Sequence, residues 1–189
     1  MFYPILAVIL IVIDQVVKAL VRANIPLGGS VPFLPHVLEL TYVQNTGAAF
    51  SILEEHTWLL TLASILVVIA MVIALWKKVL THPLGVVPAV LVLSGGLGNL
   101  IDRIAFGYVT DMFRTLFMDF AVFNVADICI TVGAFWLAAY VLFGYEKLEK
   151  KGKKEAAAHD GTDLPSDGTW ARPGGRPAGG DGGRPDPLG

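Results

Sequence analysis

GGLGNLIDRIAFGYVTDMFRTLFMDFAVFNVAD, residues 95–127, begins as an apolar helix and turns polar without becoming a plain hydrophilic loop. Asn99, Asp102, Arg103, Asp111, Asn124 and Asp127 all lie beside hydrophobic segments of membrane length. Ionisable and amide groups are costly there, so by default they mark a site. Asp111 and Asp127 flank a short connection that can bring the two carboxylates face to face. Such a pair can share a proton. One carboxylate then activates a water for attack on an amide while the other polarises the carbonyl, and the two titrate as a unit. The stretch reads as an aspartyl protease dyad at a membrane surface.

Composition agrees with the membrane. Of 189 residues, 54% are hydrophobic and 16% charged, too apolar a balance for a soluble domain of this length. The single cysteine, Cys129, excludes an internal disulfide framework and a multi-cysteine metal site, and it sits among Ile, Thr and Val as a small buried hydrophobe would. No G-x-S-x-G or H-E-x-x-H occurs, and no histidine in the second polar stretch could serve Cys129. The dyad chemistry calls for neither cofactor nor metal, and no basic-aromatic surface suggests nucleic acid.

Outward from the polar stretch, the fold class is an all-α integral membrane protein with four spans. They are Phe2–Val21, Thr57–Trp76, Leu84–Ile101 and Ile128–Tyr145. The first carries its first basic residue, Lys18, inside the apolar run and lacks an A-x-A-like site after it, so it is expected to stay as a helix and not to be a cleaved signal peptide. Asp14 and Lys18 stand four apart and can pair on one face, which by itself suits a structural ion pair. Trp58 and Trp76 bracket the second span. In the third, Ser94 and Gly98 with Gly95 and Gly96 allow a neighbouring helix to approach closely. Asn99, Asp102 and Arg103 share one face of its end, where Asp102 opposes the helix dipole and needs a partner. Asn124 is a candidate N-cap of the fourth span with Asp127 at its third position. A capping carboxylate is therefore the plain reading of Asp127, as a turn aspartate is of Asp111.

Residues 24–56 form a loop region broken by Pro26, Gly28, Gly29, Pro32 and Pro35, with a short strand at Val37–Val43, a turn at Asn45 and Gly47, and a short amphipathic piece at Ala48–Leu53. Residues 151–189 are almost devoid of aliphatic side chains and read as a disordered tail after a peptidase domain of residues 1–150. Lysines cluster at Lys77 and Lys78 and from Lys147 to Lys154, which places both termini in the cytoplasm and residues 24–56 and 102–127 outside.

Five blocks in order carry a resemblance: DQVVK (14–18), QNTGAAFS (44–51), GNLIDR (98–103), GYVTDMF (107–113) and FNVAD (123–127). They resemble the signature blocks of bacterial lipoprotein signal peptidase, signal peptidase II, and the likeness covers residues 2–146. It implies a membrane aspartyl endopeptidase that cuts prolipoproteins before the diacylglyceryl-modified lipobox cysteine. Asp111 and Asp127 would be catalytic. Asn45, Asn99, Arg103 and Asn124 would line the site, with Asp14 and Lys18 supporting it. Inhibition by globomycin, contact with membrane lipids and a monomeric state in the bacterial inner membrane are further expectations. Met112 and Ile128 depart from the family pattern beside each aspartate. A proton or ion relay is the rival reading, and a hard-cation site on Asp102, Asp111 and Asp127 is another.

Overall fold

A computed structural model describes residues 2–47 and 57–145. All four spans are present as helices long and apolar enough to cross a membrane: α1 (Phe2–Asn24), α2 (Thr57–Trp76), α3 (Pro83–Phe106) and α4 (Val125–Phe143). The polar end of the third runs further than expected, while the start of the fourth is the one that Asn124 as N-cap predicts. α3 continues past Ile101 to Phe106, where Gly107 takes the left-handed conformation at φ 78° and donates its N–H to the Arg103 carbonyl. α4 starts at Val125 because Asn124 caps it. Asp102, Arg103 and Asp127 are thus helical residues. The amphipathic piece at 48–53 and the tail at 151–189 lie outside the described residues.

The strand content exceeds expectation. β1 (Ser30–Leu34), β2 (Leu38–Asn45) and β3 (Val109–Thr115) form an antiparallel sheet in the order β1-β2-β3. Only β2 was foreseen. β1 contains Pro32, which an edge strand tolerates because that N–H has no ladder to join. β3 replaces the turn expected after Gly107. Pairing of β2 with β3, with Val43 opposite Asp111 and Glu39 opposite Arg114, puts both polar connections at the same end of the bundle. Glu39 and Arg114 also form an ion pair across the strands.

α3 is the centre of the bundle. Of its most apolar stretch 67% is buried, against none of α2's, and α1, α2 and α4 all pack on it. Apolar side chains on α1, α2 and α4 face outward, as lipid-facing helices require. The glycines let the other helices close in. A methyl group at Gly98 would stand 2.6 Å from Asp14 Oδ2 on α1, and one at Gly95 would run into the α4 backbone at Ala126. The sheet is seated on the end of α1, where Val21, Ile25, Tyr42 and Met112 form a small core. Met112 is wholly buried there and does not line the cavity that Asp111 faces.

Candidate active site

Asp111 is carried by the middle of β3 and Asp127 by the first turn of α4, and both line one cavity of about 540 Å³. Each carboxylate oxygen accepts a hydrogen bond. Asn124 Nδ2 donates to Asp111 Oδ1 at 2.6 Å and Asn45 Nδ2 to Asp111 Oδ2 at 2.8 Å. Asn99 Nδ2 donates to Asp127 Oδ1 at 2.7 Å, and the Asn124 backbone N–H to Asp127 Oδ2 at 3.1 Å. Asn124 touches both acids. Its own Oδ1 accepts from the Asp127 N–H at 2.9 Å, completing a capping box.

The capping reading of Asp127 is therefore correct as geometry, but it uses one oxygen and leaves the other on Asn99. Asp111 does not sit in a turn. It is buried in a strand, and burial together with the Asp127 charge pushes its carboxyl up to about 7, against the pull of Asn45, Asn124 and Lys18. A carboxyl poised near neutrality beside a second carboxylate is what proton sharing needs.

The three asparagines all present nitrogen to a carboxylate, and each does so because something else claims its oxygen. Gly47 N–H donates to Asn45 Oδ1 at 3.0 Å, Lys18 Nζ to Asn99 Oδ1 at 2.9 Å, and Asp127 N–H to Asn124 Oδ1. An ammonium and a backbone N–H can only donate, so the amide orientations follow from the partners.

Behind the cavity lies a buried ionic cluster. Lys18, fully buried, meets Asp14 at 2.9 Å and Asp102 at 3.5 Å, while Arg22 approaches Asp102 at 3.8 Å. Gln15 Nε2 bridges Asp14, Asp102 and the Gly98 carbonyl. The two acids reach forward to the backbone. Asp14 Oδ1 accepts the Ala126 N–H and Asp102 Oδ2 the Thr110 N–H, both at 2.9 Å. Each cavity aspartate is thus preceded in sequence by a residue tethered to this cluster.

The face shared by Asn99, Asp102 and Arg103 divides its work. Asn99 serves Asp127 and Asp102 the rear cluster. Arg103 lines the cavity, with NH1 3.3 Å from Ser64 Oγ on α2 and a buried Nε that has no partner among the described residues. Asp102 does not line the cavity, so the three carboxylates of the cation-site reading are not assembled. Cys129 is buried as a small apolar residue, and Ile128 forms part of the cavity wall. Sequence reasoning missed Gln15, Arg22 and Ser64. Arg22 follows Lys18 by one further helical turn and was legible on that spacing, whereas Ser64 sits in a charge-free helix with no signal.

The family profile described as Signal peptidase (SPase) II matches residues 6–143. Proteins named lipoprotein signal peptidase are similar in sequence. That of Streptococcus agalactiae is 44% identical over 130 residues, covering 69% of this chain and 84% of its own length. That of Lactiplantibacillus plantarum is 44% identical over 140 residues, covering 74% and 93%. A solved bacterial membrane enzyme, determined by the in meso method, superposes with a TM-score of 0.70 at 31% identity over 75% of this chain and 87% of that one.

Proposed function

The chain belongs to the signal peptidase II family, and on that premise we propose that Asp111 and Asp127 are the catalytic pair with which it removes signal peptides from prolipoproteins. It is a membrane-embedded aspartic endopeptidase that cuts on the N-terminal side of the diacylglyceryl-modified lipobox cysteine. The observation that carries the assignment is two carboxylates on one cavity, every oxygen of which accepts an amide N–H whose direction is fixed. With one proton between them, the ionised carboxylate takes a proton from a water as it attacks the scissile carbonyl. The protonated one donates to that carbonyl oxygen, and the tetrahedral intermediate collapses as the leaving nitrogen is protonated. Asn45, Asn99 and Asn124 keep the pair in place. Arg103, whose Nε has no partner among the described residues, faces the substrate's carbonyl oxygens.

Residues 1–150 constitute the peptidase and residues 151–189 are dispensable for cleavage, since they contain hardly any aliphatic side chains with which to pack. The protein acts as a monomer among membrane lipids, and globomycin-type cyclic peptides compete for the same cavity. Purified full-length protein and a form ending at residue 150 are expected to cleave a lipid-modified prolipoprotein equally well in chelator, to spare its unmodified precursor, and to be blocked by globomycin. Arg103→Met should raise KM in that assay. Cleavage of the unmodified precursor at a comparable rate refutes the lipid requirement, and loss of activity on truncation refutes the domain division.

The lysine asymmetry supports an orientation with both termini in the cytoplasm and the active site on the outer face. Single cysteines at positions 54 and 149, in a Cys129→Ser background, should be labelled by an impermeant reagent from outside only at 54. Labelling of both overturns the orientation.

A further inference from the structure

We propose that Lys18 is a positioning residue of the reaction: by holding Asn99 Oδ1 it makes the Asn99 amide a one-way donor to Asp127. The inference rests on the dyad reading above.

The two ends of a carboxamide have nearly the same shape, so an unrestrained asparagine beside a carboxyl group can rotate by half a turn. It then offers nitrogen to the ionised form and oxygen to the protonated one. Such a residue stabilises both protonation states alike and does nothing for a step that converts one into the other. Asn99 is denied that choice. Lys18 Nζ lies 2.9 Å from Asn99 Oδ1, and an ammonium has no lone pair to offer the other end of the amide. The nitrogen is left facing Asp127 Oδ1 at 2.7 Å. The amide therefore favours the charged form of Asp127 over the neutral one, whose oxygens are weaker acceptors and whose O–H it cannot accept.

A bracing role alone does not account for this arrangement. Asp14 holds Lys18 within α1 and Asp102 already ties it to α3, and Gln15 links the same two acids. The third proton of the ammonium goes to a neutral amide and not to another acid. That amide is one of the groups bonded to the cavity aspartates. Asn45 and Asn124 are locked by backbone N–H groups, which come with the fold. Only at Asn99 does the lock depend on a side chain, so it can be removed by substitution.

The test is a cycle read as kcat and KM on lipid-modified prolipoprotein, in detergent and per folded molecule. Lys18→Met removes the lock but leaves two buried acids short of a cation. Lys18→Met combined with Asp14→Asn restores the cluster's charge balance and decides the matter if the single variant does not accumulate. We expect the combined variant to lower kcat by about 10- to 100-fold, the scale on which groups that orient a metal ligand by hydrogen bonding act, with KM nearly unchanged. In an Asn99→Ala background the same combined change should cost less than about twofold in kcat, because nothing is left to orient. Asp14→Asn alone, in both backgrounds, measures the partner change. An equal loss in both backgrounds, or a loss expressed in KM, overturns the proposal and leaves Lys18 as a brace. Asp127→Asn is run alongside: if that variant still cleaves, the dyad reading itself fails, whereas an inactive Asp127→Asn beside an additive cycle refutes the lock alone.

Discussion

Asp111→Asn and Asp127→Asn each lower single-turnover cleavage of a lipid-modified prolipoprotein by roughly 10⁴-fold, the scale of losing a member of another catalytic constellation. The double variant is scarcely slower than either single one, because the two acids act as a unit. Asparagine preserves size and polarity, so insertion and folding survive. It cannot hold the shared proton or take one from water. It also turns one acceptor of each pair into a donor. At position 111 the new NH2 would face the NH2 of Asn45 or of Asn124, which now donate to Oδ2 and Oδ1. At position 127 it would face Asn99 Nδ2 or the Asn124 N–H. A purely structural Asp127 behaves differently. As a cap it tolerates asparagine at a cost of about 1 kcal/mol or less, and the protein keeps cleaving. Substantial turnover by either single variant, measured with chelator present, therefore removes the dyad.

What could be read from the sequence was what neighbouring residues decide. The spans are continuous apolar runs, and Trp58 and Trp76 mark the ends of one of them. Asn124 and Asp127 stand three apart, and the capping box they form is a local event. β3 is different. VTDMFRT has an acid and a base within seven residues, and its partner residues lie about seventy positions earlier, with Val43 opposite Asp111. A strand of that kind exists because of tertiary pairing and not propensity. α3 outruns the span its apolar run predicts for a related reason. LIDRIAF looks like an exit from the membrane until Lys18 and Arg22 arrive from α1 to neutralise Asp102. The departures from the family pattern show the same limit. Met112 and Ile128 look equivalent in sequence as neighbours of the two aspartates. Strand alternation turns Met112 away into the core against α1, while Ile128 lines the cavity.

Asn124→Ser separates capping from catalysis at the one residue that, among the described residues, hydrogen-bonds both aspartates. Serine caps a helix about as well as asparagine, so its hydroxyl can take over from Oδ1 in accepting the Asp127 N–H, and the backbone N–H to Asp127 Oδ2 is unaffected. Stability should fall by no more than about 0.5 kcal/mol. The hydroxyl is too short to replace Nδ2, which reaches across to Asp111 Oδ1 at 2.6 Å. Among the described residues Asp111 then keeps only Asn45 as a donor, in a buried setting that already holds its carboxyl near 7 with the proton more easily retained than in water. Losing one fixed donor at a reacting centre costs roughly 10²–10³-fold in kcat. Asn124→Ala should lose the same factor in kcat and, in addition, about 1 kcal/mol of stability from the vacant cap. Thermal unfolding and single-turnover cleavage, measured on both variants, read the two quantities separately. If Asn124→Ser cleaves at the wild-type rate, the contact with Asp111 is incidental and Asn124 is a helix cap alone. If both variants lose activity only in proportion to the protein that fails to fold, the same conclusion holds. A large loss in kcat from a serine variant as stable as the wild type has one structural source, the donor that Asp111 no longer has.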